Sequence, residues 1–190
     1  MSPHILALDI AGAPHRWINV RDAAHYYATD MIAWAVGQNE FVLRGGTQRA
    51  TGLQSMIRAS SIIAIKGKDF IVRHFDHEPT LTKEMLLARD RHVCAYCAQS
   101  FRFGELDMEH IVPISKGGAT SWMNLVAACK ACNNRKANRT PEAAGMKLHY
   151  VPYVPNRYEA FILSNRKILA DQMEFLLLGV PKSSRMHAAA

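Results

Sequence analysis

Two Cys-x-x-Cys pairs, Cys94 with Cys97 and Cys129 with Cys132, hold all four cysteines of the chain and stand 31 residues apart. Few sequence features constrain a fold as tightly, because both knuckles must meet at one point. Four thiolates from two such knuckles complete a tetrahedral Zn²⁺ and leave no coordination position open, which makes the site structural. Disulfides are the competing use of four cysteines. They are disfavoured here because every cysteine lies in a ligand-spaced pair and no basic-then-apolar leader directs the chain to an oxidising compartment. A region this small buries little core of its own. Metal binding, worth about 10–16 kcal/mol in zinc-finger peptides, is expected to hold it together.

Around the knuckles the charge is uneven. Residues 1–80 carry 8 Lys and Arg against 7 Asp and Glu, a net of +1, whereas residues 81–190 carry 15 against 9, a net of +6. Counterion release from a phosphate backbone rewards such a basic half, so a polyanionic partner is expected, although a merely soluble basic surface has the same composition. At 190 residues the chain has room for one large domain or two small ones. With no apolar run of 18 residues and no leader, neither a membrane span nor secretion is expected, and a cytoplasmic location follows as an expectation.

The fold class expected is α+β, in three stretches: a mixed strand and helix region over 1–79, a zinc-stapled module over 80–148, and a connector, long helix and tail over 149–190. In the first, His4–Ile10 and Trp17–Val20 read as short strands, and Asp22 caps a helix to about Ala28. Met31–Val36 is ambiguous between strand and helix. Phe41–Arg44 and Thr47–Thr51 read as strands around a tight Gly45-Gly46 turn, and Ser60–Ile65 with Phe70–His74 as a second hairpin. His74 and His77 form an H-x-x-H without a third ligand at metal spacing, and are read as scattered histidines. Arg44, Arg49 and Arg58 suit either phosphate or a solvated sheet edge. The 1–79 region carries no catalytic motif, and a role in positioning substrate is conjecture. Thr80 or Thr82 caps a helix to about Asp90. After the module, Asn156 caps a long helix to about Leu178, with Phe161, Ile162, Leu169, Met173 and Leu176 on one side.

Between and behind the knuckles lie Glu109-His110-Ile111-Val112-Pro113, Gly117-Gly118, Asn124-Leu125 and Cys132-Asn133-x-x-Lys136. Leu106–Ser115 reads as half of a β-hairpin with His110 near its end, and Asn133 falls in the first turn of a helix over Lys130–Asn138. This pattern resembles the HNH endonucleases, the ββα-metal nucleases, in their zinc-stapled form. The resemblance covers about residues 84–145. It implies that His110 is the general base that activates water and that Asn124 holds the imidazole in orientation through a hydrogen bond. It also implies that Glu109 and Asn133 bind one divalent ion. Oxygen ligands of that kind suit Mg²⁺ or Mn²⁺, whereas the thiolates Cys94, Cys97, Cys129 and Cys132 suit zinc. Many family members have Asp where this chain has Glu109, one methylene longer. Asp107, two residues earlier on the same strand face, is either a helper to Glu109 or simply exposed. Lys130, Arg135, Lys136 and Arg139 are expected to meet DNA phosphate, contacts that set register rather than sequence preference.

The function expected is therefore metal-dependent hydrolysis of DNA phosphodiester bonds, double-stranded DNA before RNA. The products would carry 5′-phosphate and 3′-hydroxyl ends, as in the family. Two alternatives stand beside it: a catalytically inactive zinc-stapled nucleic-acid-binding module, and an RNA-directed or toxin nuclease.

Overall fold

The computed structural model describes residues 4–67 and 78–189. The expected strand Phe70–His74 and the pair His74 and His77 lie outside the described residues. The fold is of the α+β class and divides into two compact units, one made of Met1–His77 with Arg157–Ala190, the other of Glu78–Asn156.

In the first unit β1 (Ile5–Leu8), β2 (Pro14–Ile18), β3 (Ile32–Thr47) and β4 (Gln54–Ile65) form a sheet in the order β2-β1-β4-β3. Strand β1 runs antiparallel to β2 and parallel to β4, and all four of its residues are fully buried. A strand covered on both faces reads as a continuous apolar run instead of alternating, which is why HILALDI carries no period of two. Its residues nevertheless divide by face. Ile5, Ala7 and Ile63 pack with Ala23, Tyr26 and Tyr27 around helix α1 (Val20–Ala28), and Leu6, Leu8, Ile62 and Ala64 pack with Phe161, Phe175 and Leu176. Helix α1 starts one turn earlier than expected, because Asn19 is its cap, with its Oδ1 accepting from the Asp22 N–H at 2.9 Å.

Two expectations for this unit are corrected. Gly45-Gly46 is not the turn: β3 runs through both glycines to Thr47. The reversal occurs over residues 48–53, closed by Gln48 N–H to Leu53 O at 2.9 Å, with Gly52 supplying the positive φ of +68°. The long C-terminal helix is instead two short ones, Arg157–Ser164 and Ala170–Leu177. Asn165 makes the break. Its side-chain oxygen accepts from the Lys167 N–H at 3.0 Å, a local bond that competes with helix continuation. Gln172, in the second of these helices, is fully buried and donates to His4 O and Ser61 O, both at 2.8 Å.

The second unit is a hairpin followed by a helix. A helix over Lys83–Arg89 is capped by Thr82 Oγ1, which accepts from the Met85 N–H at 3.2 Å. Strands β5 (Leu106–His110) and β6 (Leu125–Cys129) pair antiparallel from Leu106 opposite Cys129 to His110 opposite Leu125. A helix over Lys130–Lys136, called the knuckle helix below, follows β6 without a linker. Its core gathers Leu86, Leu87, Leu106, Trp122, Leu125 and Val126. At its centre lies a pair that sequence reading passed over, Arg89 and Asp90, both side chains fully buried. Arg89 donates to both Asp90 oxygens (2.8 and 3.0 Å) and to the carbonyls of Trp122, Leu125 and Tyr153. Asp90 Oδ2 in turn accepts from the Ala127 N–H at 2.9 Å. Every charged nitrogen and oxygen of the pair thus has a partner, either within the pair or on the surrounding backbone, the condition under which a buried ion pair is tolerated.

Candidate active site and metal centre

The two knuckles meet as expected. The Sγ atoms of Cys94, Cys97, Cys129 and Cys132 all lie within 4.8 Å of one another. A tetrahedral ion with Zn–S bonds of about 2.3 Å needs sulfurs roughly 3.8 Å apart, so the four thiols fit one zinc-sized ion. The first knuckle is shaped by a bridge between Val93 and Ser100 and by Cys94 N–H to Gln99 O at 2.9 Å. The second is the start of the knuckle helix, with Cys129 at its N-cap and Cys129 Sγ accepting from the Cys132 N–H at 3.5 Å. Burial pushes the thiols of Cys97 and Cys132 upward. Burial acts the same way on Cys94, but backbone N–H groups at Cys129, Cys97 and Tyr96 outweigh it and bring that thiol below its ordinary range. A cation is what allows four such neighbours to ionise together.

His110 ends β5, half-buried, and its Nε2 lies 3.0 Å from Thr120 Oγ1. Thr120 belongs to the loop between β5 and β6, and this loop is organised by Asn124. The Asn124 side-chain NH₂ donates to Val112 O (3.0 Å) and Ala119 O (2.8 Å), and its Oδ1 accepts from the Val112 N–H at 2.9 Å. Gly117 and Gly118 are both required here. Gly117 has φ of +83°, and a Cβ on Gly118 would lie 1.8 Å from Val112 O and 2.8 Å from Asn124 Nδ2. The amide of Asn124 is thus spent on the loop, while the hydroxyl on the imidazole is that of Thr120. No sequence signal singled out Thr120.

Glu109 precedes His110 at the end of β5, and Glu109 Oε1 accepts from Lys136 Nζ of the knuckle helix at 2.6 Å. This corrects the expectation for Lys136. Its side chain is 0% exposed and that of Glu109 14%, so Lys136 is a buried partner of the carboxylate and presents no face to DNA. Lys130, Arg135 and Arg139 are exposed. Arg139 also closes the helix end, donating to Arg135 O at 2.6 Å and Lys136 O at 3.3 Å. Asn133 is half-buried and lies three residues before Lys136, on the same side of the helix. Asp107 is paired with Lys83 at 3.1 Å. Tyr96 carries a buried hydroxyl without a partner, and burial together with the negative charge of Glu109 pushes its ionisation upward.

Comparison with known proteins falls on the same unit. Residues 94–149 match the family model described as HNH endonuclease. This segment is an HNH endonuclease domain. Over 55 residues the chain is 46% identical to the CRISPR-associated endonuclease Cas9 of Corynebacterium diphtheriae, covering 28% of this chain and 5% of that protein. The likeness is therefore confined to a short segment, and the chain spans about one twentieth of that relative's length. At the level of the family this match supports nuclease activity. Among the described residues no helix is long and apolar enough to cross a membrane.

Proposed function

We propose that the chain is a metal-dependent HNH endonuclease that hydrolyses phosphodiester bonds of double-stranded DNA. The observation that carries the proposal is the setting of His110 within the family-matched segment: a half-buried imidazole at a strand end, its Nε2 on the Thr120 hydroxyl. With Nε2–H donating to Thr120 Oγ1, the Nδ1 lone pair is left to take a proton from water. An imidazole titrates near neutral pH, and a positioned general base contributes about 10²–10⁴-fold. Asn124 serves the base through the loop it holds, keeping Thr120 in place.

Glu109 and Asn133 are the residues that would hold a divalent ion, Mg²⁺ or Mn²⁺ by their oxygen donors. Such an ion supplies positive charge for the scissile phosphate and the leaving 3′ oxygen. The Cys94, Cys97, Cys129 and Cys132 set is the zinc site, closed and structural. Lys130, Arg135 and Arg139 supply phosphate contacts that set register on the duplex. In the cell the protein acts in the cytoplasm, where DNA is accessible and thiols stay reduced.

Supercoiled plasmid incubated with wild type and with His110→Ala in Mg²⁺ or Mn²⁺ tests the reading. Wild type is expected to nick or linearise the plasmid and His110→Ala to lose at least about a hundredfold in rate. If both retard the plasmid on a gel and neither cuts it, the chain is a binding module and the proposal fails. Preferential cleavage of structured RNA moves it to the RNA-directed class.

A further inference from the structure

The knuckle helix brings a charge to the site that the proposed mechanism does not use. Lys136 is fully buried, and among the described residues Glu109 is the one acceptor its ammonium meets. Removing an ammonium from water costs several kcal/mol unless a partner with good geometry offsets it. The 2.6 Å contact to Oε1 has the length of a charge-assisted bond. It also divides the carboxylate: Oε1 is taken, while among the described residues no donor meets Oε2, and the side chain keeps 14% exposure.

From this we infer that Lys136 is a positioning residue that makes Glu109 a one-oxygen ligand, and thereby selects small octahedral cations over Ca²⁺ at the candidate active site. The inference rests on the proposed role of Glu109 in holding the divalent ion. The chemistry is that of ligand count. Ca²⁺ takes 6–8 oxygens and readily accepts both oxygens of a carboxylate, whereas Mg²⁺ demands octahedral geometry with single oxygens at about 2.0–2.1 Å. A buried ammonium on one oxygen draws off its charge and blocks one of its lone pairs, so the other oxygen is the better donor to a cation and two-oxygen binding is disfavoured. Asn133, on the same helical side as Lys136, adds one amide oxygen and cannot replace the second carboxylate contact.

Mn²⁺ binding to the zinc-loaded full chain, followed by electron paramagnetic resonance of free Mn²⁺ without DNA, gives the readout. Competition with Ca²⁺ then yields the ratio of the two dissociation constants. Because both ions are divalent, the charge lost in Lys136→Met cancels from this ratio to first order, and a change in denticity does not. In wild type Ca²⁺ is expected to bind at least tenfold more weakly than Mn²⁺, and Lys136→Met to narrow that ratio at least fivefold. Lys136→Gln keeps a donor for Oε1 and is expected to hold the wild-type ratio. In a Glu109→Gln background, Lys136→Met is expected to change nothing, since the lysine acts through that carboxylate. Zinc content and circular dichroism report whether each variant is folded. An unchanged ratio in folded Lys136→Met overturns the inference, as does a narrowed ratio in Lys136→Gln, which also decides the matter if the Met variant does not fold. Wild type that binds Mn²⁺ no better than Glu109→Gln overturns both this inference and the ligand role of Glu109. Wild type that binds Mn²⁺ with an unmoved ratio leaves that role standing and removes the inference alone.

Discussion

At the scale of single residues, the site is built from side chains that each hold one other group. Thr120 holds the imidazole of His110, Asn124 holds the loop that carries Thr120, and Lys136 holds Glu109. Thr120→Val removes the hydroxyl and keeps the shape. A hydrogen bond to a group that becomes charged is worth about 1.5–3 kcal/mol, so plasmid cleavage is expected to fall roughly ten- to hundredfold in kcat with KM little changed. Wild-type kinetics in that variant would remove Thr120 from the mechanism. His110, Glu109, Asn124 and Asn133 were legible as a set because their spacing matches a family pattern. Their partners were not, because Thr120 and Lys136 are ordinary polar residues until folding places an imidazole or a carboxylate beside them.

Among elements, the long hairpin of β3 and β4 shows how one side chain fixes a strand irregularity. The register of β3 against β4 shifts between Val36 and Glu40, and there Asp171 Oδ2 accepts from the Gln38 and Asn39 N–H groups (2.8 and 3.1 Å) and from Ser61 Oγ (2.5 Å). Burial works against the Asp171 charge, but the Ser61 hydroxyl and the Asn39 N–H outweigh it and hold its carboxyl below the usual value. A folded-state value below the unfolded one contributes stability that is present above the unfolded value, near pH 3.9, and is lost as pH falls through the folded one. Asp171→Ala is expected to destabilise the first unit by about 2 kcal/mol at pH 7, and less at pH 3. Urea unfolding of both proteins at the two pH values reads this, and a difference that grows on acidification would contradict it. The strand Ile5–Leu8 and the Ser60–Ile65 end of Gln54–Ile65 were legible from apolar runs, and the first half of that strand was not. The break between the two C-terminal helices was not, because a stripe of apolar residues at helical spacing is the same for one long helix and for two short ones.

For the whole molecule, the division into two units predicts separate responses to loss of metal. Stripping zinc with a strong chelator, or Cys132→Ser, is expected to unfold the Glu78–Asn156 unit and abolish cleavage, because its framework is closed by the four thiols. The sheet of the other unit holds no cysteine and is expected to keep its own transition in calorimetry. A protein that contains no zinc by elemental analysis, with four free thiols in a folded chain, would refute the metal centre. The sequence by itself determined the four-cysteine framework and the family resemblance of the segment over 94–149, and it nominated the candidate base and ligands, because knuckle spacing and motif order are local and survive without coordinates. Only the tertiary structure decided that the C-terminal 34 residues fold back onto the N-terminal unit, that Arg89 and Asp90 anchor the hairpin, and that Lys136 faces inward. The physical reason is that burial and pairing of a charge depend on which distant backbone comes to surround it, and chain order carries no record of that.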